Sequence, residues 1–207
     1  MNKKQRARNW GRVLFFEDLP WTSFSIAHFD TFIKVDTFYY TTKDIQPSIW
    51  LQNIKVVHDP AGFVNEVKQQ SLNLSYFPSV QEVELWRANF FANFHEAYRR
   101  IMREEIYYAL HCLDNLRMSM AIAWYMKSEI QPNTFGDWAK IEGKRSELKD
   151  WQLSLLAQWH SSRDPNEILN VIKEIVPEFK KVHKYLCEKV EIEEQPQWVE
   201  EILKMVL

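Results

Sequence analysis

Glycine is scarce in this sequence. Only four occur among 207 residues, which argues against a fold of many tight turns and for long helices. Cysteine is scarcer still. Cys112 and Cys187 stand apart, with no C-x-x-C pair and no cluster of Cys and His ligands. That excludes a disulfide scaffold and a Cys/His zinc site, and leaves buried, reduced thiols in a cytosolic protein as the expectation. No apolar run approaches the roughly 18 residues that a membrane span requires. No excess of one charge exists either: the net charge is −2, which gives no support to a broad nucleic-acid footprint. The basic start, MNKKQRAR, lacks the apolar run that would follow it in a signal peptide, and reads as a solvated arm.

Apolar residues make up 46% of the chain and aromatics 14%, enough to build a core in one large domain or two small ones. The pattern changes near residue 75. Before it the runs are short and β-like: SFSIAH (23–28), TFIKVDTFYY (31–40) and NIKVVHD (53–59). The first two predict a hairpin turning at Phe29-Asp30, and Asp59-Pro60-Ala61-Gly62 ends the third. RNWGRVLFFEDL (8–19) is ambiguous and reads as a short helix.

After residue 78 the periodicity is helical. Ser79 with Glu82 forms a capping-box pattern, and Val83, Trp86, Phe90, Phe94, Ala97 and Ile101 follow at spacings of three and four. A second helix is expected over about 104–127 and a third over about 143–161, with a break at Pro132–Gly136 between them. Asp164-Pro165-Asn166-Glu167 opens a fourth, in which Pro177 is a candidate kink, and a short helix from Trp198 to Val206 closes the chain. The expectation is an α+β protein. A β-containing part over 1–75 precedes an antiparallel helical bundle over 76–207.

Asp36 raises the chemical question. It lies with Lys34 in a strand rich in β-branched and aromatic residues, where an unpaired carboxylate would be costly if buried. Either both residues occupy an exposed sheet face and meet solvent, or Asp36 is a carboxylate at the rim of an open cleft. Histidine offers less. Arg87 to His95 and Arg103 to His111 repeat an Arg-x7-His spacing, which is too long to serve as a compact helical nuclease motif.

The order of features resembles the antibiotic nucleotidyltransferases, the aminoglycoside and lincosamide adenylyltransferases. The features are the strand at 32–40, a Gln46-Pro47-Ser48 loop, a strand at 54–59 ending in aspartate, Glu84-Leu85-Trp86, the run from Arg103 to Leu110, and Arg145-Ser146-Glu147-Leu148. The resemblance covers roughly residues 20–190. It implies that Asp36 is the third catalytic carboxylate, acting as general base or as a single metal ligand. It also implies that Glu84 and Trp86 line the opposite, substrate-binding wall of a cleft, matching a Glu-x-Trp/Phe pattern of streptomycin-type members. The acceptor it implies is a small cationic or hydroxylated molecule, and the family cofactors are Mg²⁺ and ATP.

One departure is large. The family signature is a Gly-Ser pair followed by Asp-x-Asp, and this sequence contains neither. In-line transfer at a phosphate is usually clamped by divalent ions, and Mg²⁺ takes several hard oxygens in an octahedron. Asp36 alone does not supply them. The expectation is therefore a small remnant of a nucleotidyltransferase sheet on a helical bundle, truncated or degenerate, and inactive as this chain. A non-catalytic binding protein derived from that fold is the alternative. Unpaired sheet edges further predict a homodimer.

Overall fold

The computed structural model describes residues 2–19, 21–133 and 138–207. The expected break at Thr134, Phe135 and Gly136 lies outside them. The chain divides into two compact units, Met1–Leu74 and Ser75–Leu207.

The first unit begins with α1, Lys3–Arg8, capped by Asn2, whose side chain accepts from Lys4 N at 2.9 Å. The basic start is thus a helix that buries Ala7, and not a free arm. Strands β1 (Val13–Glu17), β2 (Phe24–Phe29) and β3 (Lys34–Phe38) form an antiparallel sheet in the order β1-β2-β3. The helix expected over 8–19 is replaced by the end of α1 and by β1. The Val-Leu-Phe-Phe run has β propensity and finds a ladder on β2, with Phe16 opposite Ala27 and Glu17 opposite Ile26. Gly11 makes the approach to that strand feasible, because a Cβ there would stand 3.1 Å from the Phe29 ring.

The β2–β3 hairpin turns where the sequence places it, closed by Phe29 N donating to Ile33 O at 2.9 Å. The third expected strand, 53–59, does not form. No neighbouring segment offers it a ladder, and Ile54 O instead accepts from Lys68 Nζ at 2.8 Å. Helix α2, Phe63–Ser71, follows the Asp59–Gly62 turn. The core of this unit is small: Ala7, Ala27 and Phe29 are buried, with Val13, Phe16 and Val35 packed against them.

The second unit contains α3 (Val80–Met102), α4 (Ile106–Lys127), α5 (Asp150–Gln158), α6 (Pro165–Lys189) and α7 (Pro196–Lys204). The capping box forms: Ser79 Oγ accepts from Glu82 N at 3.2 Å, and Glu82 Oε2 accepts from Ser79 N at 2.8 Å. Asp164 caps α6 by accepting from Asn166 N and Glu167 N at 2.8 and 3.1 Å. Helix α6 runs through Pro177 without a break.

The helix expected over 143–161 is shorter. Ser146 forms a local turn, donating to Ile141 O and accepting from Leu148 N. That turn competes with helix and delays its start to Asp150. Three long helices, not four, therefore carry the bundle among the described residues. Helix α4 is its centre. Every residue from Met118 to Met126 is buried, so it is covered on all sides by α3, α6 and the 138–160 segment. The architecture is α+β, a small antiparallel sheet and a helical bundle.

Candidate functional site

Alternation along β3 decides where Asp36 stands. Lys34, Asp36 and Phe38 are exposed, while Val35 and Thr37 are half-buried. Val35 packs on the small core beneath the sheet. Ile33, the residue before β3, is 57% exposed. Asp36 therefore occupies the open face, its side chain 38% exposed, with Oδ2 3.1 Å from Lys34 Nζ. The carboxylate is paired within its own strand rather than left to solvent alone.

Two further groups share this face. His28 lies opposite Lys34, and Ile26 opposite Asp36. His28 Nε2 is 2.6 Å from Glu17 Oε1, and the His28 ring stacks on Phe15 at 3.8 Å. The open face thus carries Glu17, His28, Lys34 and Asp36 in two side-chain contacts. The sequence offered no signal for the Glu17–His28 pair, because it depends on the β1–β2 register.

Glu84 and Trp86 are not brought together. Positions i and i+2 of a helix point to different faces. Glu84 is exposed and stands 3.8 Å from Arg87. Trp86 is fully buried; its Nε1 donates to Ser119 O at 2.8 Å and its ring packs on Phe179. Trp86 is a core residue of the bundle and presents no stacking surface to a ligand. Its helical spacing with Val83 and Phe90, already visible in the sequence, was the better guide to its role.

The second unit has a cleft of its own, about 700 Å³, lined by Asp114 and Arg117 of α4, Trp138, Glu142 and the α5 residues Leu153 to Ala157. Its polar wall is organised before any ligand arrives. Asp114 accepts from Arg117 NH1 and from Trp138 Nε1, both at 2.9 Å. Arg117 also donates to Leu156 O at 2.7 Å, satisfying a carbonyl in the last turn of α5. Its guanidinium lies 5.4 Å from the centre of the Trp138 ring. Glu142 is exposed at the rim. The Asp114 and Glu142 carboxylates, the Arg117 guanidinium, an indole and a hydroxyl (Ser154) thus surround one cavity. Only the Asp114–Arg117 spacing was visible in the sequence.

The remaining buried reactive groups are quiet. Cys112 and Cys187 are free and buried; desolvation pushes the Cys112 thiol up to about 11 and raises that of Cys187, so neither is a thiolate near neutral pH.

A Mg²⁺ ion tests the family's chemistry against these residues. No group of three or more His, Cys, Asp or Glu that could hold a metal occurs among the described residues, and the charge beside Asp36 is the Lys34 ammonium. No helix of the described residues is long and apolar enough to cross a membrane.

The fold has a counterpart among solved structures. The chain is similar to the crystal structure of an aminoglycoside 6-adenyltransferase from Bacillus subtilis, with a TM-score of 0.53 and 14% identity, over 99% of this chain and 81% of that one. No protein-family model matches the sequence, and no curated protein does.

Proposed function

We propose that this is a nucleotidyltransferase-like protein whose proper reaction is adenylyl transfer to a hydroxyl of a small cationic molecule, and that this chain does not complete that reaction alone. The supporting observation is the fold likeness to an aminoglycoside 6-adenyltransferase over nearly the whole chain. In this reading Asp36 is the base. Lys34 holds Oδ2, which leaves Oδ1 to take the proton of the acceptor hydroxyl as its oxygen attacks the α-phosphorus of the nucleotide and pyrophosphate leaves. Independently of Asp36, the cleft within the helical unit offers the Asp114 and Glu142 carboxylates and the Trp138 indole to a small cationic molecule.

The absence of Gly-Ser and Asp-x-Asp from the sequence means that neither the triphosphate nor Mg²⁺ has its usual holders. ATP with Mg²⁺ therefore binds weakly or not at all. The same absence favours a second reading, a binding protein on this fold that retains the acceptor cleft without the transfer.

Calorimetry separates the two. Streptomycin, a guanidinium-bearing aminoglycoside, is titrated into the wild type and into Glu142→Gln. Binding that weakens about tenfold in the variant supports the acceptor cleft, and no binding to the wild type removes it. Micromolar affinity for ATP with Mg²⁺ overturns the claim that the missing signature matters.

A further inference from the structure

The outer edge of β3 is open. Tyr39 N donates to Ser23 O at 2.7 Å and Phe29 N donates to Ile33 O at 2.9 Å. These bonds set the phase of the ladder: residues 33, 35, 37 and 39 turn their backbone groups toward β2. The N–H and C=O groups of Lys34, Asp36 and Phe38 therefore point away from the sheet. Among the described residues no other segment bonds to them. The side chains along this edge are exposed too, with Ile33 at 57%, Phe38 at 55% and Tyr40 at 58%.

Proteins guard such edges with charge, Lys above all. The charges here do the reverse for one particular visitor. Lys34 and Asp36 have opposite signs, lie two residues apart and share a face. A second copy of the same strand, antiparallel about a twofold axis through Val35, meets Lys34 with Asp36 of the partner subunit, and Asp36 with Lys34 of the partner subunit. Both are hydrogen-bonded pairs, because the backbone groups of 34 and 36 are the outward ones. Moving the axis to Asp36 would set two carboxylates opposite each other, which is unfavourable.

We propose that the chain forms a homodimer by β3–β3 pairing, antiparallel and with Val35 on the twofold axis, joining two three-stranded sheets into one. Each intrachain Lys34–Asp36 contact is then extended by a cross-strand contact of the same kind. The apolar side chains of Ile33 and Phe38 gain cover at the seam. The interface is isologous, so it closes after two copies instead of propagating. The dimer goes beyond the proposed transfer chemistry and does not depend on it.

Sedimentation equilibrium on the full chain tests the proposal, with circular dichroism confirming that each variant is folded. The wild type is expected to show a concentration-dependent monomer–dimer equilibrium. Asp36→Lys or Lys34→Asp alone puts like charges opposite each other twice per dimer, and should weaken the dissociation constant at least about tenfold. Mixing the two variants in equal amounts restores opposite charges at both positions, and should recover the dimer as a heterodimer. A wild type that stays monomeric up to about millimolar concentration overturns the proposal. So do single variants that dimerise as well as the wild type, or a mixture that fails to re-associate, since either places any dimer contact elsewhere on the surface.

Discussion

Asp36 and Trp86 respond to burial in opposite ways, and so should their variants. The Asp36 side chain is more than a third exposed and contacts Lys34 on the surface, an interaction of about 0–1 kcal/mol. Asp36→Asn should therefore leave the thermal melt within a few degrees of wild type. In a protein supplied with the missing phosphate-binding signature, the same change should abolish transfer; transfer at the normal rate would reduce Asp36 to a surface residue. Trp86→Ala removes a fully buried indole and the hydrogen bond its Nε1 donates to Ser119 O. Denaturant titration should record a loss of about 3–5 kcal/mol.

His183 adds a pH dependence. Burial holds its imidazole down at about 4, and the Arg87 guanidinium from α3 pushes the same way. Cys187 of its own helix and the rings of Trp86 and Phe179 surround it. The folded state thus binds the proton less well than the unfolded state. Stability is fully present above the unfolded value near 6.5 and declines as pH falls toward 4, by on the order of 2 kcal/mol. Melts at pH 7.5 and 4.5 check this: His183→Gln should lose less between the two than wild type does, and an equal loss would assign the acid sensitivity elsewhere.

At the scale of elements, glycine scarcity has a cost at helix ends. Helices α3, α4 and α6 all finish with glutamate in the left-handed region: Glu104 at φ 59°, Glu129 at φ 58° and Glu191 at φ 59°. Each end closes with the long Schellman bond, from Glu105 N to Arg100 O, Ile130 N to Tyr125 O and Ile192 N to Cys187 O. Glycine is the usual residue there because a Cβ is strained at positive φ. Glu191 is exposed, so Glu191→Gly should raise stability by about 0.5 kcal/mol, read as a higher urea midpoint with an unchanged slope. Glu129 is a poorer choice, because it pairs with Lys189.

At the scale of the whole molecule, the two units differ in what holds them. The helical unit encloses a continuous core from Val83 to Val206. The sheet unit buries four apolar residues, Ala7, Ala27, Phe29 and Val67, and leaves Trp10, Phe15, Trp21 and Trp50 about half exposed or more. A core that small does not offset the entropy of ordering some seventy residues. Residues 75–207 produced alone should give a cooperative helical melt. Residues 1–74 alone should lack dispersed amide resonances; a folded spectrum from that fragment would show that its small core suffices.

Local pattern was sufficient wherever one segment contains its own reason. The Ser79–Glu82 box, the Asp164 cap, the hairpin at Phe29-Asp30 and the three-and-four stripe of α3 depend on neighbours within a few residues, and all were legible in the sequence. The exposed face of Asp36 followed in the same way from period-two alternation. What tertiary structure decided were matters of partnership. Residues 13–17 became a strand because β2 offered a ladder, and residues 53–59 did not because nothing did. Trp86 belongs to the core because α4 and α6 close over it, whatever motif its neighbours suggest. The Trp138–Asp114 bond, the Arg117–Leu156 bond and the Glu17–His28 contact join residues 11 to 39 positions apart, and distances of that kind are set only when the chain packs on itself.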